Sequence, residues 1–298
     1  MLIKNYKILF TKNLEILYDA QEIESFFYLV LENVHQMKRI DLALHPMMEI
    51  DATQLLLWED VVSDLKRQKP IQYILGETEF FGLRFLVNKN TLIPRPETEE
   101  LVQVIISNNQ IIESFNPLKI LDIGTGSGCI AISLAKNLSN AVIYAIDVSK
   151  EALDIAKRNA EINNVAVTFL LKNIFDVVSL NDTEVSAEGL TQQFDVIVSN
   201  PPYVRNLEKA EIKSNVLKYE PHIALFVDDA DALLFYRKIA KLAIENLTEN
   251  GKLYFEINQY LGRETVELVT RFGFKNVKLL KDIYGNDRII SCEKNGGL

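Results

Sequence analysis

From about Pro117 to the C-terminus, short apolar runs alternate with stretches of helical periodicity, and no other feature narrows the fold as far. The candidate strands are Lys119–Ile123, Ala141–Ile146, Val167–Leu171, Asp195–Ser199, Lys252–Ile257, Asn276–Leu280 and Arg288–Cys292. Continuous apolar runs mark strands buried on both faces, and the helical intervals supply the crossovers of a parallel sheet. Only Lys281-Asp282-Ile283-Tyr284-Gly285-Asn286-Asp287 separates the last two runs, too few residues for a crossover helix. That pair is therefore expected as an antiparallel hairpin at one end of a seven-stranded α/β sheet. Residues 176 to 193, polar and carrying Asn181, Asp182 and Gly189, are expected to form an exposed loop.

Residues 1 to about 70 contain no glycine and show helical spacing, as in Phe26, Phe27, Val30, Leu31 and Val34, then Leu57, Val61 and Leu65. A small helical bundle is expected there, with Asp51 and Gln54 as a capping box, Pro46 in a break between helices, and Trp58 in the core. Residues 71–95 bring Gly76, Gly82, Phe80, Phe81, Phe85 and the alternation Leu83-Arg84-Phe85-Leu86-Val87, the pattern of a short hairpin linker. The segment 96–298 forms the larger domain. Pro96 suits a first helical turn, and Glu97, Glu99 and Glu100 complement the positive end of the helix dipole. Arg95, between two prolines, reads either as part of a pocket wall or as part of a plain helix start.

The composition excludes several classes. At 298 residues, 48% apolar and 24% charged, the chain is that of a globular protein of up to two domains. A net charge of −9 disfavours a surface built to hold long nucleic acid by its phosphates. Cys129 and Cys292 lie far apart, and His35, His45 and His222 form no ligand pattern, so neither a disulfide framework nor a metal site is expected. The opening MLIKNYKILFTKNLEILYD breaks every apolar run with charge, which fits neither a signal peptide nor a membrane span and leaves the cytoplasm as the expected location.

Two loops carry chemistry. Asp122-Ile123-Gly124-Thr125-Gly126-Ser127-Gly128 follows the first strand of the sheet and opens a helix near Cys129. Its G-x-G-x-G spacing lacks the final gap of the dinucleotide fingerprint and suits a nucleoside cofactor without a pyrophosphate. Asp147, about 20 residues on, stands where a carboxylate takes ribose hydroxyls. Ser199-Asn200-Pro201-Pro202-Tyr203 follows the fourth strand, at its carboxyl end, where open α/β sheets bind ligands. Two prolines stiffen this loop and leave its carbonyls free, while Asn200 adds a side-chain acceptor and Tyr203 a flat ring, a set that can grip a planar group bearing NH₂. Alone, Pro-Pro also serves as a chain reversal, and a glycine loop as a tight strand-to-helix turn.

With these motifs the chain resembles the class I methyltransferases that use S-adenosylmethionine, and more narrowly the HemK/PrmC family of protein-(glutamine-N5) methyltransferases. The likeness runs through Lys69 to Gly76, Glu79-Phe80, Leu92 to Glu100, Asp122 to Gly128, Ser199 to Tyr203, Tyr219-Glu220-Pro221, and Asp282 with Gly285, Asp287 and Arg288. The Ile-Pro-Arg-Pro-Glu-Thr-Glu run is the most discriminating part. The resemblance implies a Rossmann-like seven-stranded sheet with its last strand antiparallel, a small all-α N-terminal domain that recognises release factors, and methylation of the glutamine in the Gly-Gly-Gln motif of class I peptide chain release factors. It places Gly124, Thr125, Gly126, Ser127 and Gly128 at the methionine part of the cofactor, Asp147 at the ribose, and Asn173 with Ile174 at the adenine. Many relatives carry Asp where this chain has Asn173, so a carboxylate there is replaced by an amide carbonyl.

The same resemblance makes Asn200, Pro201, Pro202 and Tyr203 the catalytic loop. An amide nitrogen is a weak nucleophile, so the Asn200 side-chain carbonyl and the Pro201 backbone carbonyl would each accept one N–H and orient it, with Asn200 also beside the cofactor. Tyr203 would pack on the amide plane and Pro202 would fix the turn. The alternatives are an adenine or cytosine amino methyltransferase of DNA or RNA, which needs a basic channel this acidic chain does not advertise, and a non-catalytic cofactor-binding module.

Overall fold

The structure is a computed structural model, and it describes residues 1–109, 116–178, 180 and 193–295. The chain forms two compact units, one of Met1–Gly76 with Lys213–Tyr219 and one of the described residues of Glu77–Ile212 and Glu220–Leu298. The helical unit contains α1 (Ile3–Leu14), α2 (Ala20–His35), α3 (Arg39–Leu44), α4 (Ala52–Lys66) and α5 (Ile71–Leu75). Asp19 caps α2 by accepting from the N–H groups of Gln21 and Glu22, and Asp51 with Gln54 forms the capping box of α4 at 2.8 and 3.1 Å. Trp58 is fully buried, edge-on to Tyr6 and Phe10, and its Nε1–H donates to His35 Nε2 at 2.9 Å. That bond requires an unprotonated Nε2, and burial accordingly lowers the His35 pKa.

The larger unit begins with the hairpin β1 (Glu77–Phe80) and β2 (Leu83–Leu86), whose turn residues Phe81 and Gly82 both have positive φ, the signature of a tight primed turn. There follow α6 (Pro96–Asn109), β3 (Leu118–Ile123), α7 (Cys129–Asn137), β4 (Ala141–Asp147), α8 (Lys150–Ile162), β5 (Thr168–Leu171) and β6 (Phe194–Ser199). After the two-residue strand β7 (Val204–Arg205) comes α9 (Ser214–Tyr219), which belongs to the helical unit. There, Tyr219 donates to the Arg67 carbonyl at 2.9 Å and Ser214 to Gln68 at 2.8 Å. The chain continues through β8 (Phe226–Val227), α10 (Leu234–Asn246), β9 (Leu247–Glu256), α11 (Gly262–Arg271), β10 (Lys275–Lys281) and β11 (Asp287–Glu293).

Seven strands form one sheet in the order β10-β11-β9-β6-β3-β4-β5, and β11 alone runs antiparallel to its neighbours. Leu121, Ile123 and Ile197 enter one core while Ile120, Val196 and Val198 enter the other, so the period-2 alternation of β3 and β6 buries both faces of the sheet. The expected strands match the observed ones closely except at β9, which starts at Leu247 rather than at Lys252. Thr248-Glu249-Asn250-Gly251 has the composition of a turn, yet Leu247 pairs with Phe194 through a register shift. Of the loop expected at 176–193, residues 179 and 181–192 lie outside the described residues.

Strand order reverses between β3 and β6: the chain proceeds from β3 outward through β4 and β5, then returns to β6 and moves the other way. Such a reversal opens a crevice beyond the carboxyl ends of the two strands. Ile123 and Ser199 are register partners there, and the Ser199 hydroxyl donates to the Ile123 carbonyl at 2.7 Å. Gly124 and Asn200 thus leave the sheet side by side.

Candidate active site

A cavity of about 380 Å³ fills that crevice. Its apolar sleeve comes from the ends of β3 and β4, from the turn after β5 and from α10, with Ile146, Val148, Ile174, Phe175, Phe235 and Ile239 prominent. Its polar points are few: Asp147, Asn173 and Asn200 stand among them, beside the backbone of Gly124 and Gly126. An apolar slot with sparse, convergent polar groups is the common form of a cofactor site.

The glycine loop is shaped by backbone bonds. The N–H groups of Gly124 and Thr125 both donate to the Ile146 carbonyl, and the Gly126 N–H donates to Asp147 Oδ2 at 2.8 Å. Asp147 Oδ1 accepts from the Ser149 N–H at 2.9 Å, which locks the carboxylate at the cavity rim. Burial raises the Asp147 pKa, and these N–H donors oppose the rise. Gly124 and Gly126 have φ of 76° and 56°, and a Cβ on either would meet nothing within 4 Å, which leaves an open cradle for a ligand to approach the backbone. Gly128 differs: a Cβ there would meet Ile132 Cδ1 at 2.8 Å and Ala156 Cβ at 3.2 Å, so this glycine serves the packing of α7 on α8.

Thr125, Ser127 and Gly128 do not line the cavity. Thr125 is buried and donates to Asp122 Oδ2 at 2.6 Å, while the Ser127 carbonyl accepts from Asn159 on α8. Asp122 is fully buried, and burial pushes its carboxyl up to about 7 despite the Thr125 hydroxyl. Its Oδ1 has no hydrogen-bond partner among the described residues. Asn173 Oδ1 accepts from the Phe175 N–H at 3.1 Å, so the amide is held by its own turn with a lone pair to spare.

Across the cavity, Asn200, Pro201 and Pro202 form the wall, and Leu92, Pro221 and Ile223 extend it. Tyr203 does not line the cavity: its hydroxyl donates to Glu256 Oε1 at 3.0 Å, and its carbonyl accepts from Asn258 Nδ2 at 2.9 Å. Asn200 Nδ2 donates to Thr98 Oγ1 at 3.3 Å, and that hydroxyl donates to Glu256 Oε2 at 2.6 Å. Glu220, with a side chain 1% exposed, accepts from the Ile93 N–H and from Arg95 Nη2, the latter at 2.5 Å. Arg95 therefore ties the Ile-Pro-Arg-Pro loop to the Glu220-Pro221 segment that also borders the cavity. Glu99 and Glu100 do more than face a helix dipole, since they accept from the backbone N–H groups of Phe81 and Ile283.

Sequence reasoning assigned no role to Thr98, Glu220, Glu256 or Asn258. Glu256 did leave a signal, an acid closing the apolar strand Leu253-Tyr254-Phe255, and a carboxylate in such a run calls for partners.

The strand order, with its single reversed strand and its crevice between β3 and β6, is that of the class I methyltransferases. The catalytic domain of hMettl16, solved in complex with the MAT2A 3′UTR hairpin 6, shares this fold with a TM-score of 0.51 at 17% identity, over 73% of this chain and 77% of that one. A family model described as methyltransferase small domain matches residues 101–222, and one described as PrmC N-terminal domain matches residues 15–76. The release factor glutamine methyltransferase of Flavobacterium psychrophilum is 64% identical over 290 residues, 97% of this chain and 98% of that one. The corresponding protein of Bacteroides thetaiotaomicron is 41% identical over 284 residues, 95% and 97% of the two chains. The chain belongs to the release factor glutamine methyltransferase family and is a methyl-transferring enzyme.

Proposed function

We propose that the protein transfers the methyl group of S-adenosylmethionine to the side-chain amide nitrogen of the glutamine in the Gly-Gly-Gln motif of class I peptide chain release factors, and that it does so in the cytoplasm. The observation that carries this reading is the emergence of Gly124 and Asn200 side by side into one cavity. The donor set fits the cofactor: an open glycine cradle, a rim carboxylate at Asp147 for ribose hydroxyls, and an apolar sleeve with the Asn173 carbonyl and Ile174 for the adenine. When bound, S-adenosylmethionine supplies an electrophilic methyl group.

The protein's own task is to prepare the acceptor. The amide nitrogen's lone pair is delocalised, so orientation supplies much of the rate. The Asn200 Oδ1 and the Pro201 carbonyl accept its two N–H groups, and the same acceptors stabilise positive charge growing on the nitrogen. Pro202 holds the turn, and Tyr203 anchors it from behind through Glu256. Asn200→Ala is expected to lower turnover by about a hundredfold or more while cofactor affinity changes little. Near-normal tritium transfer from labelled cofactor to release factor in that variant would sink the assignment.

The helical unit is assigned to recognition of the release factor body, because one glutamine loop offers too little area for specificity. Ile8, Ile16 and Leu56 are large apolar side chains of this unit that stand 68%, 92% and 62% exposed, and they are the positions on which the assignment is tested. Replacing all three by Ser should raise KM for the whole factor and leave KM for a short Gly-Gly-Gln peptide unchanged. Label transferred to oligonucleotide in place of release factor would favour the nucleic-acid alternative.

A further inference from the structure

We infer that Glu256, acting through the Thr98 hydroxyl, sets which end of the Asn200 amide faces the acceptor, and is thereby a positioning residue for methyl transfer. The inference rests on the reading of Asn200 as the acceptor clamp. That clamp works only if Oδ1, and not Nδ2, points at the substrate amide. An amide side chain is nearly symmetric in shape, so packing alone does not distinguish its two ends. Hydrogen-bond polarity does.

Glu256 closes β9 with 2% of its surface exposed. Its carboxylate accepts from the Thr98 hydroxyl at 2.6 Å and from the Tyr203 hydroxyl at 3.0 Å. A hydroxyl has one hydrogen to give. Thr98 spends it on Glu256, so toward Asn200, 3.3 Å away, its oxygen can only accept. The amide end that meets Thr98 must then be NH₂, and Oδ1 is the end left for the cavity. A carboxylate is suited to this because, when ionised, it accepts from both hydroxyls and donates to neither. A neutral Gln in its place could donate to Thr98, release the Thr98 hydrogen toward Asn200, and invert the amide. The same carboxylate also fixes Tyr203, so one buried group orients both ends of the Asn-Pro-Pro-Tyr loop.

The test uses the full-length enzyme with purified release factor and S-adenosylmethionine, and measures kcat, KM and cofactor Kd for Asn200→Ala, Thr98→Val, Thr98→Ser, Glu256→Gln and the double variant Thr98→Val with Glu256→Gln. Valine keeps the shape of threonine and removes the hydroxyl. Thr98→Val should lower kcat about tenfold or more with KM and cofactor Kd within about twofold of wild type. Thr98→Ser, which restores the hydroxyl, should recover most of that loss. Glu256→Gln should lower kcat on its own yet add less than its full effect in the Thr98→Val background, because its influence on Asn200 runs through the missing hydroxyl. Loss of turnover in Asn200→Ala with normal kcat in Thr98→Val would overturn the relay and leave the clamp standing. Equal losses in Thr98→Val and Thr98→Ser, an effect confined to KM, or fully additive losses in the double variant would each overturn the relay as well. Retained turnover in Asn200→Ala would remove the clamp and the relay together.

Discussion

Gly124 and Gly128 stand four residues apart in one loop, both at positive φ, and the same substitution at each should fail for different reasons. At Gly128 the backbone has φ of 83°, and a methyl group would lie 2.8 Å from Ile132 Cδ1 and 3.2 Å from Ala156 Cβ. The left-handed conformation costs an alanine about 1–2 kcal/mol. Overpacking adds about 1 kcal/mol, at the low end of its range because the Ile132 terminus can shift while Ala156 cannot. Gly128→Ala should therefore lose about 2–3 kcal/mol, a fall in Tm of roughly 4–12 °C for a unit of this size. At Gly124 the φ is 76° and a methyl group would meet nothing within 4 Å, so only the conformational cost of about 1–2 kcal/mol remains. That methyl group projects beside the cavity, so the larger loss in Gly124→Ala should be in cofactor binding. Thermal melts without cofactor and titration calorimetry with it separate the two. A Gly128 variant as stable as wild type, or a Gly124 variant that binds cofactor normally while melting lower than the Gly128 variant, would refute the division of labour within the loop.

Three further predictions concern the polar side chains Glu220, Asp122 and Asn173. Glu220→Ala strands the Ile93 N–H and unpairs Arg95, and should cost about 2–3 kcal/mol in urea unfolding, whereas Glu220→Gln keeps one acceptor and should cost about 1 kcal/mol. Burial lifts Asp122 from 3.8 to about 7, so the folded state holds its proton more tightly than the unfolded chain, and the resulting stability is full below about pH 3.9 and is lost as the pH rises through about 7. Asp122→Asn should thus gain on wild type by about 1.4 kcal/mol per pH unit between pH 4.5 and 6.5, roughly 4 kcal/mol over the whole range, and a difference independent of pH would show the carboxylate to be ionised throughout. Asn173→Asp keeps the bond from the Phe175 N–H and strengthens the acceptor, so cofactor affinity measured by calorimetry should rise about two- to tenfold, and an unchanged Kd would place the adenine elsewhere.

The sheet was legible because strands buried on both faces write themselves as unbroken apolar runs, and because seven residues between the last two runs permit only a hairpin. The cap at Asp51 and the helix start at Pro96 were legible for the same reason: each is specified within one turn of chain. The support of the active-site loop was not. Thr98 and Glu256 meet across 158 residues, and a single buried acid in a strand announces the need for a partner without naming it. Within the glycine loop, spacing marked the turn but could not sort Gly124, which faces the cavity, from Thr125 and Ser127, which are buried away from it. Nor does any local pattern assign Ser214–Tyr219 to the helical unit, since that short helix is placed by bonds to Arg67 and Gln68, more than 140 residues earlier in the chain.

That last helix changes what it means to cut the protein. The polypeptide leaves the helical unit after Gly76, returns to it at Lys213 and departs again at Tyr219, so the unit is stitched in by three strands of chain rather than hung from one end. Truncation at the first crossing would leave Lys213–Tyr219 without the residues it packs on, and a chimera that swapped only the first 76 residues would mismatch the borrowed helix. The third crossing leads directly into Glu220, the carboxylate that holds Arg95 and Ile93. An experimenter who wants the larger unit alone must bridge Ile212 to Glu220 with a short linker, and must show that Glu220 still finds its partners.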